Sequence, residues 1–381
     1  MPKILFGISS SYCAHFMKGQ VGYLTAHDYQ VIIISGPGKE IESLCVEEGA
    51  TLYPMHFSRS LTPFRDLMIL FRLISILKKE KPDVVNAGNP KPGFLLTLAC
   101  WLTGHKACVF TMHGLVSDSR SGWRGSLIRG IEKLTCSLAK KVMVVSPSLL
   151  THAVEQGILD PGKAIVIEKG SYNGIDLSRF TRTIQLKEEA DIIRAGIPWK
   201  NGGIVFGFIG RITRDKGIDI LLAAFDRVRV KYPDIRLIVA GPLDDESRIN
   251  KTDRVRMETD SSIHYLGNVD DIVPVYMLID VLVLSSYREG FGNVLIEAAA
   301  MEIPVIAPRI PGCSDALEEN LNGLMFTKAD AESLSVAMTK YLEDPALRRA
   351  HGLAGRGFVS RFNREKIWEG QRRMYVSLMD K

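Results

Sequence analysis

Two glutamates with seven residues between them, Glu289 and Glu297, enclose the run Gly290-Phe291-Gly292-Asn293-Val294-Leu295-Ile296. A strand-like segment, Val281–Ser285, leads into this run, and the pattern predicts a helix starting near Asn293 and continuing through Ala298-Ala299-Ala300. Gly290 and Gly292 strip side chains from the approach to that helix. Its first amides and positive dipole end are left as an anion site. A carboxylate just before the helix, Glu289, can accept hydrogen bonds from sugar hydroxyls. One about a turn inside it, Glu297, can accept from ribose hydroxyls, as acidic residues do in dinucleotide folds. The apolar neighbours of Glu297 argue against a merely solvated surface glutamate.

A second segment carries fixed positive charge. Ile204–Ile209 reads as a strand, Ile218–Val228 as a helix, and between them lies Gly210-Arg211-Ile212-Thr213-Arg214-Asp215-Lys216-Gly217. Turns at the C-terminal edge of parallel strands are where α/β proteins bind ligands. Arg211 and Lys216 form a patch the size of a diphosphate, with Gly210 allowing close backbone approach. The segment is neither a Walker loop nor a GxGxxG fingerprint, which argues against an NTPase and a dehydrogenase. Asp244-Asp245 is adjacent-paired and reads as a turn, not as a DxD metal motif, so no metal and no cofactor are expected. His113-Gly114 follows the strand-like Cys108–Met112, at another strand edge. Ser10, Ser11 and His15 follow the first strand and are candidates for the acceptor side.

These residues need strand ends to hold them, and the chain supplies two series. Ile4–Ile8, Val31–Ser35, Val84–Asn86, Cys108–Met112, Lys141–Val145 and Ala164–Ile167 form the first. Ile204–Ile209, Arg236–Ala240, Ser262–Leu266, Val281–Leu284 and Pro304–Ala307 form the second. Helix-length stretches between them predict α/β architecture with two parallel sheets. The polar segment Arg179–Gly203 separates the series. The expected domains are 1–180, acceptor-binding, and 181–361, nucleotide-sugar-binding, with a C-terminal helix over 362–381 packing back on the first. No internal repeat occurs.

With 381 residues, 46% apolar and 24% charged, the composition is that of a two-domain globular protein. No apolar run reaches transmembrane length, and no signal-peptide cleavage site follows Met1, so a cytoplasmic protein is expected. The six cysteines lack metal-ligand spacing and read as reduced core residues. Charge is uneven. Residues 1–180 carry 20 basic and 14 acidic residues, net +6, and the remainder nets −1. No nucleic-acid motif accompanies the basic half, so an anionic membrane surface is the expected partner rather than nucleic acid. The stretch Arg65–Lys81 has apolar residues almost all round and fits either a buried core helix or a membrane-surface helix. Arg120, Arg124, Arg129 and Lys133 could meet anionic head groups or an acceptor diphosphate.

Together these motifs resemble the retaining nucleotide-sugar glycosyltransferases of family 4, with the GT-B fold of two Rossmann-like domains facing each other across a cleft. The resemblance rests on Glu289-Gly290-Phe291-Gly292 with Glu297, on Gly210-Arg211 with Lys216-Gly217, and on Asn173-Gly174-Ile175-Asp176 and Gly267-Asn268-Val269. It implies that Arg211 and Lys216 hold the donor diphosphate without a metal. Glu289 and the amides of Phe291, Gly292 and Asn293 would contact sugar and phosphate. Glu297 would hold the ribose, Asn268 and Val269 would lie near the base, and His113 would face the donor sugar. The family's paired glycine after strand one is replaced here by Ser9-Ser10-Ser11, whose hydroxyls could donate instead. Arg65–Lys81 and Lys91-Pro92-Gly93 resemble the subgroup building bacterial capsule, O-antigen and lipid-linked oligosaccharides. That subgroup implies a UDP-hexose or UDP-N-acetylhexosamine donor, an undecaprenyl-diphosphate-linked acceptor and peripheral attachment to the inner face of the plasma membrane. The rivals are a nucleotide-sugar 2-epimerase of the same fold and a non-catalytic nucleotide-sugar sensor. The first would need an acid/base cluster in the first domain, where none is evident, and the intact Arg211, Lys216, Glu289 and Glu297 argue against the second.

Overall fold

The computed structural model describes all residues except Arg59, Leu61, 200–201, 244–248 and 380–381. The Asp244-Asp245 turn therefore lies outside the described residues. The chain divides into two compact units, Met1–Gly174 with Arg364–Lys381, and Ile175–Asn363.

The first unit is built on seven strands among the described residues: β1 (Lys3–Gly7), β2 (Gln30–Ser35), β3 (Thr51–Pro54), β4 (Val84–Gly88), β5 (Cys108–Met112), β6 (Lys141–Val144) and β7 (Ala164–Ile165). All pairings are parallel, in the order β3-β2-β1-β4-β5-β6-β7. The second unit holds β8 (Val205–Ile209), β9 (Arg236–Ala240), β10 (Ile263–Gly267), β11 (Val281–Val283), β12 (Val305–Pro308) and β13 (Gly323–Phe326), again parallel, in the order β10-β9-β8-β11-β12-β13. Buried residues such as Leu5, Ile32, Val85 and Leu96 fill the first core, and Phe206, Phe208, Leu237, Val239 and Phe225 the second. Nearly continuous burial along the central strands is what helices on both faces of a parallel sheet require. In each sheet the strand order reverses once, between β1 and β4 and between β8 and β11. Such reversals splay neighbouring loops apart and open a crevice at the strands' C-terminal ends.

Three findings differ from the sequence expectations. The break between units falls at Gly174–Ile175, ahead of 180/181. The amide of Ile175 donates to the Phe362 carbonyl at 2.8 Å, and Arg356 donates to Phe180 O at 3.0 Å and Thr181 Oγ1 at 2.8 Å, which ties this segment to the second unit. Strands β3 and β13 were not anticipated. Both are edge strands of four residues. Helix Pro63–Glu80 is not a buried core helix: Leu73, Ile76 and Leu77 are buried, whereas Phe64, Leu67, Met68 and Phe71 are exposed. No helix among the described residues is long and apolar enough to cross a membrane. All six cysteines are buried and unpaired.

The last helix, Arg364–Met379, lies within the first unit. Asn86 Nδ2 on β4 donates to Tyr375 Oη at 2.7 Å, Trp368 Nε1 donates to Asn173 Oδ1 at 2.6 Å, and Gln371 Nε2 donates to Tyr172 O at 2.7 Å. Asn86 also accepts from Thr111 at 2.6 Å, so this polar chain is fully buried. Tyr375→Phe leaves the Asn86 amide without its acceptor. The expected cost is about 1–3 kcal/mol of unfolding free energy, read by urea denaturation; an unchanged midpoint would contradict the anchoring role.

Candidate active site

The two chemistry-bearing loops of the second unit leave the adjacent strands β8 and β11, on the two sides of the order reversal. After β8 the chain forms a short turn over Arg214–Lys216 before helix Ile218–Lys231. After β11 it runs through Ser285–Gly292 into helix Asn293–Ala300, capped at Gly292.

Side chains and backbone lace the loops together. Lys216 Nζ donates to Glu289 Oε1 at 2.5 Å, and Ser286 Oγ donates to the same oxygen at 2.7 Å. Arg288 pairs with Asp215 at 3.0 Å, and Thr213 Oγ1 donates to the other Asp215 oxygen at 2.5 Å. The Tyr287 amide donates to Asp215 O at 2.9 Å, and Ser285 Oγ donates to Lys216 O at 3.0 Å. Burial raises the Asp215 carboxyl, but the hydrogen bond from Thr213 and the charges of Arg288 and Lys216 outweigh it, so Asp215 sits below its ordinary range. Two glycines permit close backbone approaches to the β11 loop, one from the β8 loop and one from the segment after β12. Gly217 has φ +67°, and a Cβ there would collide with the Ser285 carbonyl oxygen. Gly312 has φ +83°, and a Cβ there would lie 2.6 Å from the Gly290 carbonyl and 2.8 Å from the Phe291 amide nitrogen. Both positions exclude side chains, on steric and on backbone grounds.

The second glutamate lies one turn into helix Asn293–Ala300. Glu297 Oε2 accepts from the hydroxyl of the fully buried Tyr276 at 2.7 Å. Burial raises the Glu297 carboxyl, while the Tyr276 hydrogen bond and the charge of Arg179 work in the opposite direction. Phe291 is buried against Phe362, with ring centroids 5.1 Å apart, which fixes the loop entering the helix. Asn268 is exposed and Val269 half-buried, directly after β10, two strands from β8 along the same sheet edge. Thus the loops after β8 and β11 bring Gly210, Arg211, Lys216, Glu289, Phe291 and Gly292, and the helix with Asn293 and Glu297, to the ends of two adjacent strands, with Asn268 and Val269 farther along the same edge.

The remaining candidates belong to the first unit. His113 follows β5, half-buried, meeting Tyr172 edge-to-face with ring centroids 5.0 Å apart. Burial pulls its pKa down to about 4, so at neutral pH the imidazole is uncharged and offers one donor and one acceptor. Ser10 is exposed, 3.7 Å from Cys13 Sγ. His15 is exposed, its ring 5.2 Å from Tyr12. Ser11 is a correction: it is buried, its hydroxyl donates to Glu40 Oε2 at 2.6 Å and accepts from the Ile41 amide at 3.1 Å. That hydroxyl is committed to the start of helix Lys39–Glu48 and not to an acceptor.

Sequence reasoning missed Asp215, Ser286, Arg288, Tyr276 and Gly312. The Pro311-Gly312 pair is a turn signal that could have pointed to the last. Tyr276, in a short apolar helix, carries no local signal.

Comparison with known proteins agrees with this geometry. Residues 203–344 match the family described as glycosyl transferases group 1, and residues 16–179 match glycosyltransferase family 4. The capsular polysaccharide biosynthesis glycosyltransferase CapM of Staphylococcus aureus is 31% identical over 379 residues, 99% of this chain and 97% of that protein. The UDP-Gal:alpha-D-GlcNAc-diphosphoundecaprenol alpha-1,3-galactosyltransferase of Escherichia coli is 23% identical over 84% of this chain and 82% of its own. A glycosyltransferase from Rickettsia africae matches with a TM-score of 0.79 at 23% identity, over 100% of this chain and 99% of its own. Anabaena HepE, solved with UDP and glucose, matches with 0.81 at 17%, over 99% and 100%. At these identities the solved structures establish the fold, which is GT-B. The chain belongs to glycosyltransferase family 4 and is a glycosyltransferase.

If the loops form a diphosphate site, Lys216→Ala should fold normally and lose turnover by a factor corresponding to ~2–4 kcal/mol in the transition state. Steady-state kinetics on the folded variant measure this, and near-normal turnover would remove Lys216 from the site.

Proposed function

We propose that this glycosyltransferase moves a hexose or N-acetylhexosamine from a UDP-sugar, with retention of configuration and without a metal, to a lipid-diphosphate-linked saccharide in surface polysaccharide biosynthesis. The observation that carries the reading is the laced pair of loops. They bring an ammonium, a carboxylate and a helix N-terminus together beside a second, half-buried carboxylate. This combination suits a nucleoside diphosphate sugar: cationic groups for the diphosphate, Glu289 for sugar hydroxyls and Glu297 for the ribose.

In the reaction, the bond between the sugar's anomeric carbon and the diphosphate oxygen breaks as the acceptor oxygen bonds that carbon on the same face. The acceptor's proton passes to the departing diphosphate. Arg211 and Lys216 stabilise the charge collecting there, with the amides of Phe291, Gly292 and Asn293. Glu289 Oε1 already accepts two hydrogen bonds, from Lys216 and Ser286. Such a carboxylate is held for hydrogen bonding rather than nucleophilic attack, which favours front-side substitution over a covalent intermediate. His113, uncharged, serves as a hydrogen-bond partner for the donor sugar, and Ser10 and His15 lie on the acceptor side. The lipid-linked acceptor is supported by the name of the E. coli relative and the polysaccharide pathway by that of CapM.

Attachment to the cytoplasmic face of the membrane is proposed on the surface of the first unit. Helices Pro63–Glu80, Pro90–Thr103 and Gly122–Leu138 pack side by side. They expose Phe64, Leu67, Met68 and Phe71, then Trp101 and Leu102, then Trp123, Leu127 and Leu134. Arg120, Arg124, Arg129 and Lys133 are exposed beside the last group. Apolar side chains with basic neighbours suit an anionic interface.

A screen of UDP-sugars against diphosphate-lipid saccharides, with and without EDTA, tests the reaction. The expected product is an α-linked saccharide formed equally in EDTA; a β-linked product, or activity restored only by magnesium or manganese, contradicts the mechanism. For the membrane, the protein should sediment with anionic vesicles more than with neutral ones, less so in high salt. Phe64→Asp with Phe71→Asp should weaken that binding, and equal partition to both vesicle types would overturn the attachment.

A further inference from the structure

Glu297 is useful to a ribose only if its carboxylate is ionised and aimed. Both conditions are demanding for a carboxylate set among apolar helix residues, where burial favours the neutral form. One wall of its surroundings is the short helix Val273–Tyr276. Tyr276 is fully buried, yet it spends its hydroxyl on Glu297 Oε2 at 2.7 Å. A phenol buried this deeply in an apolar helix would be a phenylalanine if packing were its whole purpose. The ring itself is fixed independently of the hydroxyl: Phe180 meets it edge-to-face, centroids 5.9 Å apart. The helix start is fixed as well, since Asp271 Oδ1 accepts from the Val273 amide at 3.0 Å and from Arg179 at 2.9 Å. The carboxylate of Asp176 in turn accepts from the Ser178 and Arg179 amides, at 3.0 Å and 3.3 Å, turning the chain so that Arg179 and Phe180 line the same corner. Charge and hydrogen bonding on Glu297 therefore come from Arg179 and Tyr276 on two separate segments.

We infer that Tyr276 is a positioning residue for the donor nucleotide, clamping one oxygen of Glu297 so that the remaining lone pairs face the ribose hydroxyls. The inference rests on the ribose role of Glu297 proposed above. The hydroxyl acts in two ways. It fixes the carboxylate's orientation, and it stabilises the ionised form that ribose hydroxyls need as acceptor. Because the ribose contact is the same before and during reaction, the clamp should act on binding and not on the chemical step.

Tyr276→Phe removes the hydroxyl and keeps the ring against Phe180. The test is calorimetric titration of wild type, Tyr276→Phe and Glu297→Gln with UDP and GDP and with their 2′-deoxy forms, using whichever base binds tighter. The expected wild type prefers the ribonucleotide. Tyr276→Phe should lose about tenfold affinity for it and clearly less for the deoxy form, which keeps only the 3′-hydroxyl, with KM for the donor raised and kcat nearly unchanged. Its ribonucleotide binding should also begin to fail at a higher pH than in wild type as pH is lowered. The sign follows from removing a hydrogen bond that favours the ionised carboxylate, which lets protonation set in earlier. If wild type prefers the ribonucleotide and Tyr276→Phe keeps that preference in full, the clamp is refuted. Equal losses for both nucleotides would mark Tyr276 as merely structural and refute it too. If wild type and Glu297→Gln both bind ribo and deoxy forms alike, the ribose role of Glu297 fails, and the clamp with it.

Discussion

The ion pair between Lys216 and Glu289 is the interaction on which the proposed donor site depends. It joins the loops after β8 and β11, and it is supported on both sides: Asp215 with Arg288 and Thr213 on one, Ser286 on the other. Half-buried charges of this kind are costly unless each meets a partner. Lys216 and Glu289 satisfy each other. In the proposed donor complex the diphosphate shares the ammonium and a sugar hydroxyl shares the carboxylate. The site is thus held in shape before the ligand arrives, and the groups that must stabilise developing charge need little reorganisation. Gly217 is the backbone counterpart of this arrangement, because a methyl there would push the loops apart, and Gly312, after β12, lets the chain pass directly against Gly290 and Phe291.

The rest of the second unit makes that close approach possible. β8 and β11 are adjacent strands whose following helices are sent in opposite directions along the sheet, and the Lys216–Glu289 and Arg288–Asp215 pairs draw their first loops together across the reversal. The helix beginning at Asn293 then supplies both an anion-binding terminus and, one turn later, the platform for Glu297. The first unit repeats the geometry around β1 and β4. There Asn89, with φ +61°, accepts from the Ser9 amide at 3.1 Å and ties the loops after those strands together. The same topology thus offers a crevice in each unit. The second fills it with charge, whereas the first places half-buried His113 beside Tyr172 and Gly88.

Much of this was legible in the sequence because the signals were local. Alternating buried strands and helices set the α/β class. Gly290 and Gly292 between Glu289 and Glu297 mark a strand-loop-helix turn by spacing alone, and the helix start at Asn293 and the presence of a C-terminal helix follow from periodicity. The parts that were not legible depend on contacts distant along the chain. Asp215 reads as one more charge in a polar turn until Arg288 is seen beside it, 73 residues away. Tyr276 looks like core, and only its 21-residue reach to Glu297 reveals a polar task. Ser11 looks available until Glu40 takes its hydroxyl. Helix Pro63–Glu80 is apolar nearly all round, so periodicity could not tell which part faces solvent. β3 and β13, as four-residue edge strands, carry too little pattern to stand out.

The central claim is that the loops after β8 and β11 form the seat of the donor diphosphate. A crystal structure of the protein with UDP tests it most directly. The account predicts diphosphate oxygens within hydrogen-bonding distance of Lys216 Nζ, the Arg211 guanidinium and the amides of residues 291–293, with the ribose hydroxyls on Glu297. A diphosphate bound elsewhere, with the Lys216–Glu289 pair unshared and its surroundings empty of ligand, would contradict it.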